Sequence, residues 1–271
     1  MAGRDEPGGV TTARLELLHA EGVAVSVDGR LILAPTTLAF TRGQVVGIIG
    51  HNGSGKTTLL RCLARQYTPT AGRISLGGRP LAAWGARAFA RQLAYLPQQT
   101  PASTGLTGRE LVALGRYPWH GPLGRIGPQG RLAIEDAMRL ADTEAFADRL
   151  VDHLSGGERQ RVWIAMLIAQ ETGFILLDEP IAALDLAHQI AVLGVLRSLS
   201  RHRNAGIVLV LHDINMAARF CDTILALRGG AVIAWGDPAA IMTAEVLETV
   251  YGIPMRVLTD DASGHKIGVP V

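Results

Sequence analysis

Val45-Val46-Gly47-Ile48-Ile49-Gly50-His51-Asn52-Gly53-Ser54-Gly55-Lys56-Thr57-Thr58 is the stretch from which the rest of this chain is read. Val45 to Ile49 has the composition of a strand buried on both faces, and Lys56 to Leu63 reads as the helix that follows. Between them, glycines at 50, 53 and 55 allow turns in which successive N–H groups point inward at phosphate oxygens. The helix N-terminus adds its positive end, and His51, Asn52, Ser54 and Thr58 complete the loop. Lys56 is placed to reach β- and γ-phosphates, and Thr57 to set its hydroxyl on Mg²⁺. Of the 26 basic residues only Lys56 and Lys266 are lysines, so a lysine at 56 is no accident of composition. Alone, such a loop implies a nucleotide and nothing narrower, because kinases, GTPases and motors share it.

Two later motifs narrow it. Phe174-Ile175-Leu176-Leu177 ends abruptly in Asp178-Glu179-Pro180, as a buried parallel strand does when it delivers acids to its C-terminal edge. Asp178 there suits Mg²⁺, and Glu179 suits orienting or deprotonating a water for in-line attack on a γ-phosphate. Leu154-Ser155-Gly156-Gly157-Glu158-Arg159-Gln160 carries a capping box, Ser155 with Glu158. A helix start preceded by glycines is also an anion site, so the chain holds two phosphate cradles where one nucleotide needs one. The second can close over a nucleotide held by another copy.

His212 follows the apolar run Ile207 to Leu211, and a neutral imidazole at that strand end can contact a γ-phosphate or attacking water. Taken alone, a histidine there is more often a strand-end or helix-cap residue; beside the other motifs the functional reading prevails. Gln98, after Leu96-Pro97, is ordinary loop chemistry on its own.

With these motifs in order, the chain resembles the nucleotide-binding subunits of ATP-binding cassette (ABC) transporters over about residues 16 to 258. The resemblance implies an α/β fold: a P-loop NTPase (RecA-like) core with an antiparallel β subdomain and a helical signature subdomain. It makes 50–57 the Walker A loop, 154–160 the signature, 174–179 Walker B, Gln98 the Q-loop glutamine, Asp185 the D-loop aspartate and His212 the switch histidine. The implied catalytic set is Glu179, His212, Gln98 and Lys56, with Mg²⁺ beside Thr57, Gln98 and Asp178. ATP is then enclosed between the P-loop of one copy and Ser155, Gly156, Gly157, Glu158 and Gln160 of a second in a head-to-tail homodimer. The implied partners are integral membrane permease subunits and, indirectly, a periplasmic or lipoprotein substrate-binding protein.

Gly115-Arg116-Tyr117-Pro118-Trp119, Leu184 to Gln189, His212 to Arg219 and Tyr251-Gly252-Ile253-Pro254 are similar to ATPases of iron-siderophore importers, the ferric hydroxamate type most. None of these residues is expected to touch a siderophore. Two departures stand out. Ile181-Ala182 replace the family's usual Thr-Ser, removing a hydroxyl near the D-loop, and Val27 stands where relatives stack an aromatic on adenine. Adenine is then expected on aliphatic surface, with modest affinity and weak base selectivity, about 1 kcal/mol of stacking being lost.

Composition agrees. The 271 residues are 48% hydrophobic, enough for a substantial core, and a net charge of +2 gives no basic field that argues for nucleic acid. The arginines are spread along the chain, as expected of solvated helix faces. Cys62 and Cys221 fall within predicted helices without metal-ligand spacing, as buried small residues of a reducing compartment do. Residues 1–9 lack a signal-peptide core and no run approaches the roughly 18 apolar residues that cross a bilayer. The expected location is therefore peripheral, on the cytoplasmic face of the inner membrane.

The expected organisation is a disordered 1–12, one ATPase domain over 13–258 and a tail at 259–271. Within the domain, 13–97 holds the β subdomain and P-loop, 98–170 the helical subdomain and 171–258 the rest of the core. Pro238 to Tyr251 reads as one amphipathic helix. Tyr117 and Trp119 either staple their glycine-rich loop or dock a permease helix in a groove lined by Gln98–Gly105 and Tyr117–Gly121. Other readings are a haem or cobalamin importer, a soluble ABC switch, which would favour tandem cassettes or a basic arm, and a small-molecule kinase, which leaves the signature unexplained.

Overall fold

A computed structural model describes residues 17–101, 103–121, 124–261 and 264–271. The expected disorder of 1–12 lies outside these. The chain opens on two long antiparallel strands, β1 (Leu17–Val27) and β2 (Arg30–Thr41), joined by a tight turn. Asp28 and Gly29 both have positive φ there, 50° and 76°, the left-handed pair that an Asp-Gly hairpin accommodates. Then come β3 (Val45–Ile49), α1 (Lys56–Leu63), β4 (Ala71–Leu76), β5 (Arg79–Pro80), α2 (Ala86–Ala90) and β6 (Leu93–Leu96). A helical segment follows, with α3 (Gly108–Leu114), α4 (Tyr117–His120), α5 (Pro128–Leu140) and α6 (Gly156–Ala169). The chain returns through β7 (Phe174–Leu177), α7 (Leu186–Arg203), β8 (Gly206–Val210), α8 (Ile214–Phe220), β9 (Thr223–Arg228) and β10 (Ala231–Gly236). It closes with α9 (Pro238–Ile241), α10 (Ala244–Tyr251), β11 (Met255–Thr259) and β12 (Lys266–Pro270).

The central sheet runs β10-β9-β3-β8-β7-β6, parallel except for β10, and the antiparallel sheet runs β2-β1-β4-β5. The parallel strands are buried on both sides, and their residues alternate between two cores. Val46, Ile48, Leu176, Val208 and Leu225 pack with Leu18, Phe40, Leu59 and Leu63 of the antiparallel sheet and α1. Val45, Ile49, Ile175, Ile207 and Ile224 pack against Ile164, Leu196 and Leu247 of α6, α7 and α10. Period-two alternation inside uninterrupted apolar runs is what a strand sandwiched between two layers requires.

Several expectations need correction. Pro238 to Tyr251 is two helices, because Met242 leaves helical geometry and Thr243 caps a new start, its hydroxyl accepting from Val246 N at 3.3 Å. Cys221 lies just past α8 and not inside it, although both cysteines are buried. The 259–271 stretch contributes β12, paired antiparallel with β11. The arginines are not all solvated, since Arg116 and Arg161 are buried. Arg116 donates to Ala169 O at 2.7 Å and Glu171 Oε2 at 2.6 Å, while Arg161 donates to Asp142 Oδ2 at 2.8 Å.

Candidate functional site

Strands β3, β8, β7 and β6 lie side by side and parallel, so their C-terminal ends share one edge of the sheet. Ligands bind at this edge in open α/β folds, and each strand here delivers one of the sequence motifs to it. Gly50–Thr57 follows β3, His212 follows β8, Asp178-Glu179 follows β7 and Gln98 follows β6. A cleft of about 510 Å³ opens there, lined by Asn52 to Thr58, Gln98, Glu179, His212, Arg30 and Ile32.

The loop geometry is set by its glycines. Gly50 has φ 142°, and a Cβ there would lie 2.1 Å from Leu227 O, so no other residue fits. Gly55, at φ 95°, is the N-cap of α1 and supplies no side-chain cap, so no side chain satisfies the first-turn N–H groups. Lys56 is buried, its Nζ donating to Gly50 O at 2.8 Å and His51 O at 3.0 Å. Burial pulls the Lys56 pKa down, while the Glu179 and Asp178 carboxylates pull it up.

Thr57 Oγ1 donates to Asp178 Oδ1 at 3.0 Å, bridging the loop to β7. Asp178 is 1% exposed and burial pushes its pKa up, against the hydrogen bond from Thr57. Its Oδ2 is buried with no protein partner, an orphan acceptor that a buried carboxylate does not normally keep. Hydroxyl and carboxylate oxygens beside a phosphate cradle are the donor set Mg²⁺ prefers, so these residues fit that ion.

Glu179 stands at φ 53°, a left-handed conformation immediately before Pro180. Such backbone costs on the order of 1–3 kcal/mol and persists where neighbours hold it. Here they do: Gln98 Nε2 donates to Glu179 Oε2 at 2.9 Å, and His212 Nε2 lies 2.7 Å from Glu179 Oε1. From behind, Gln160 Nε2 donates to Pro180 O at 3.0 Å. Where the hydroxyls of a Thr-Ser pair are absent, Ile181 is buried and the loop is tied through its backbone. Gln189 Nε2 donates to Ile181 O at 3.3 Å and Leu184 O at 3.0 Å.

The signature residues lie elsewhere. Ser155 caps α6, its Oγ accepting from Glu158 N at 3.3 Å while Ser155 N donates to Glu158 Oε2 at 2.8 Å. Ser155 and Gly156 are exposed, and none of Ser155, Gly156, Gly157, Glu158 and Gln160 lines the cleft. Asp185, also exposed, caps α7 by accepting from His188 N at 2.9 Å, and that bond holds its carboxyl below the usual range.

Sequence reasoning missed Arg30 and Ile32. Val27, expected beneath adenine, is 43% exposed at the hairpin end and does not line the cleft; Arg30 pairs directly across from it. The alternation of β2 that buries Leu33 turns Ile32 and Arg30 the other way, a signal legible in Arg30-Leu31-Ile32-Leu33 once the strand is known. Trp119, 40% exposed, is tied back onto its own chain. Its Nε1 donates to Gln170 O at 2.8 Å, and its ring meets the guanidiniums of Arg91 and Arg116 at 5.2 and 5.1 Å. That is a staple; a separate groove of about 680 Å³ is walled by Arg61, Arg65, Phe89, Tyr95, Pro97 and Gln170.

Residues 33–182 match the family model described as ABC transporter. The chain is 44% identical over 229 residues to the achromobactin transport ATP-binding protein CbrD of Dickeya dadantii, covering 84% of this chain and 85% of that one. It is 39% identical to the ferric enterobactin transport ATP-binding protein FepC of Escherichia coli, covering 96% of each. Among solved structures, a putative metal-chelate type ABC transporter in an inward-facing conformation superposes with a TM-score of 0.81 at 26% identity, over 94% of this chain and 98% of that one. A dimeric bacterial ABC transporter cassette gives 0.73 at 27% identity, over 82% and 98%.

Proposed function

This chain belongs to the ABC transporter family, and on that footing we propose that it is the ATP-hydrolysing subunit of an importer, powering uptake of iron(III)-siderophore complexes through a separate membrane permease. The observation that carries the catalytic reading is the carboxylate of Glu179, gripped by Gln98 and His212 at the mouth of the P-loop cleft. The cargo reading rests on the names of relatives, whose siderophores differ in chemistry. It is therefore pitched at iron chelates and not at hydroxamates alone.

In this reading the N–H groups of Gly53 to Thr58 hold the phosphates and Lys56 turns from the Gly50 and His51 carbonyls to the β- and γ-phosphates. Thr57, Asp178 and Gln98 would hold Mg²⁺, which when bound would neutralise phosphate charge. Glu179 orients and deprotonates the attacking water, and His212 fixes that carboxylate and faces the γ-phosphate. Ser155-Gly156-Gly157 of a second copy closes the site head-to-tail, with Glu158, Gln160 and Asp185 behind that contact. The exposure of Ser155 and Gly156 supports this. Hydrolysis reopens the dimer, and the motion passes to a permease. Among the described residues no helix is long and apolar enough to span a membrane, so the spans are assigned to that partner and the subunit to the cytoplasmic face. A substrate-binding protein delivers the chelate on the far side.

The test is ATPase turnover of the purified chain, alone and with co-purified multi-span membrane proteins, together with uptake of ⁵⁵Fe-labelled siderophores by cells lacking this chain. Stimulated turnover and lost uptake are the expected results. Robust ATPase with only soluble or nucleic-acid partners and unchanged iron uptake overturns the reading.

A further inference from the structure

We propose that Asn215 is a positioning residue for His212, and that it acts by bolting helix α8 to the C-terminal hairpin β11–β12. The inference rests on the catalytic reading of His212 above. It starts from two stretches that the nucleotide site leaves unexplained, Asp213 to Arg219 and Tyr251 to Pro254. The fold brings them together.

His212 is the last residue before the cap of α8, so its backbone goes where the helix start goes. Asp213 is that cap, its Oδ1 accepting from Asn215 N at 2.7 Å and Met216 N at 3.3 Å. The histidine side chain is 47% exposed and approaches Glu179 Oε1 at 2.7 Å. A seven-residue helix cannot hold itself in water, so tertiary contacts must set the position of α8.

One such contact is unusual. Asn215 Nδ2 donates to Gly268 O at 3.1 Å, and Gly268 N donates back to Asn215 Oδ1 at 2.8 Å. The N–H and C=O of one strand residue point to the same side, and at Gly268 a single side-chain amide takes both, as a neighbouring strand would. The approach is close because position 268 lacks a side chain: a Cβ there would lie 2.8 Å from Leu247 Cδ1 and 3.6 Å from Ile214 Cγ2. The hairpin is itself anchored, Met255 N donating to Glu248 Oε1 at 3.1 Å and Lys266 Nζ to Ala239 O at 3.0 Å. A chain of short contacts thus runs from the hairpin through Asn215 and Asp213 to His212 and the Glu179 carboxylate. A histidine misplaced by an ångström is enough to slow the chemical step while leaving the phosphate cradle untouched.

The experiment compares full-length Asn215→Ala, Asn215→Ser and His212→Ala proteins by steady-state turnover and by ATP dissociation constant. With Asn215 replaced, kcat is expected to fall about tenfold and the ATP dissociation constant to move less than about twofold. In a His212→Ala background the same replacement adds no further loss. Equal losses in turnover and ATP affinity, or an undiminished loss without the histidine, overturn the proposal. If His212→Ala alone leaves turnover unchanged, the catalytic reading falls; if it slows turnover while Asn215→Ala does not, only this inference falls. Native hydrogen exchange on the unaltered protein gives a measurement independent of variant folding. The Gly268 amide is expected to be protected to the same degree as the first turns of α8, and exchange at the rate of exposed loops refutes the clamp.

Discussion

His212 Nε2 and Glu179 Oε1 lie 2.7 Å apart, across the ends of two adjacent parallel strands. On its other oxygen Glu179 accepts from Gln98 Nε2 at 2.9 Å, so one carboxylate is held from both sides. A carboxylate restrained in this way, on a left-handed backbone at φ 53°, cannot swing freely and presents a fixed direction to a water in the cleft.

Replacing that carboxylate by an amide keeps its size and one of its two acceptor oxygens while removing the proposed base. Glu179→Gln is therefore expected to lower turnover by at least about 100-fold. ATP binding should survive, and size-exclusion with ATP should trap a closed dimer. Hydrolysis at the unaltered rate, read by phosphate release, would exclude Glu179 as the base.

Arg30 presents a planar cation where the cleft runs out along β2, next to Ile32. Guanidinium and aliphatic surface read the face of a base and not its edge, so ATP and GTP should bind alike. Arg30→Ala is expected to weaken both by about fivefold, the equivalent of ~1 kcal/mol. Tripolyphosphate should be unaffected, and calorimetric titration of the three ligands separates base stacking from charge. A loss with tripolyphosphate as large as with ATP would reassign Arg30 to the phosphates.

Ser155 caps α6 in the isolated chain and is proposed to meet phosphate in the dimer, and two substitutions separate these roles. Ser155→Ala removes the cap and should cost about 1 kcal/mol of stability. Ser155→Asp keeps a good cap but sets a negative charge against the partner's ATP. It should melt near the unaltered temperature and fail to dimerise with ATP. Normal ATP-driven dimerisation of Ser155→Asp would leave the serine as a helix cap only.

Burial raises the thiol pKa of Cys62 to about 11 and of Cys221 to about 12. The thiolate is the nucleophile, so at pH 8 only about one Cys62 in a thousand is reactive, and fewer at Cys221. Iodoacetamide should leave both unmodified in the native protein and modify both in denaturant, as read by mass spectrometry. Native labelling at the rate of a free thiol would show that the surrounding core opens.

Much of this was legible in the residues. Val45 to Ile49, the glycines of the P-loop and the Leu177-Asp178 boundary state their own local structure, because a buried strand and a phosphate turn are defined within a few residues. Less legible were contacts that depend on side-chain direction. Val27 sits 43% exposed at the hairpin end beside the Asp28-Gly29 turn, outside the residues that line the cleft, whereas Arg30 and Ile32 line it. The contacts of Trp119 with Gln170, Arg91 and Arg116 join segments far apart in the chain, which no local stretch records. The break at Met242 leaves no mark in the apolar pattern because both halves of 238–251 bury residues in one core, Ile241 on one side and Leu247 and Val250 on the other.

The sequence by itself determined that this chain carries a P-loop core with an acidic strand end and a second helix start opened by a capping box and two glycines, since each depends on residues in direct succession. Tertiary structure alone decided that Gln98, Glu179 and His212 converge, and that Asn215 meets Gly268 from 53 residues away. The reason is the strand order β3-β8-β7-β6: it follows from how apolar faces pack on both sides of the sheet, a sum over the whole core that no local stretch records.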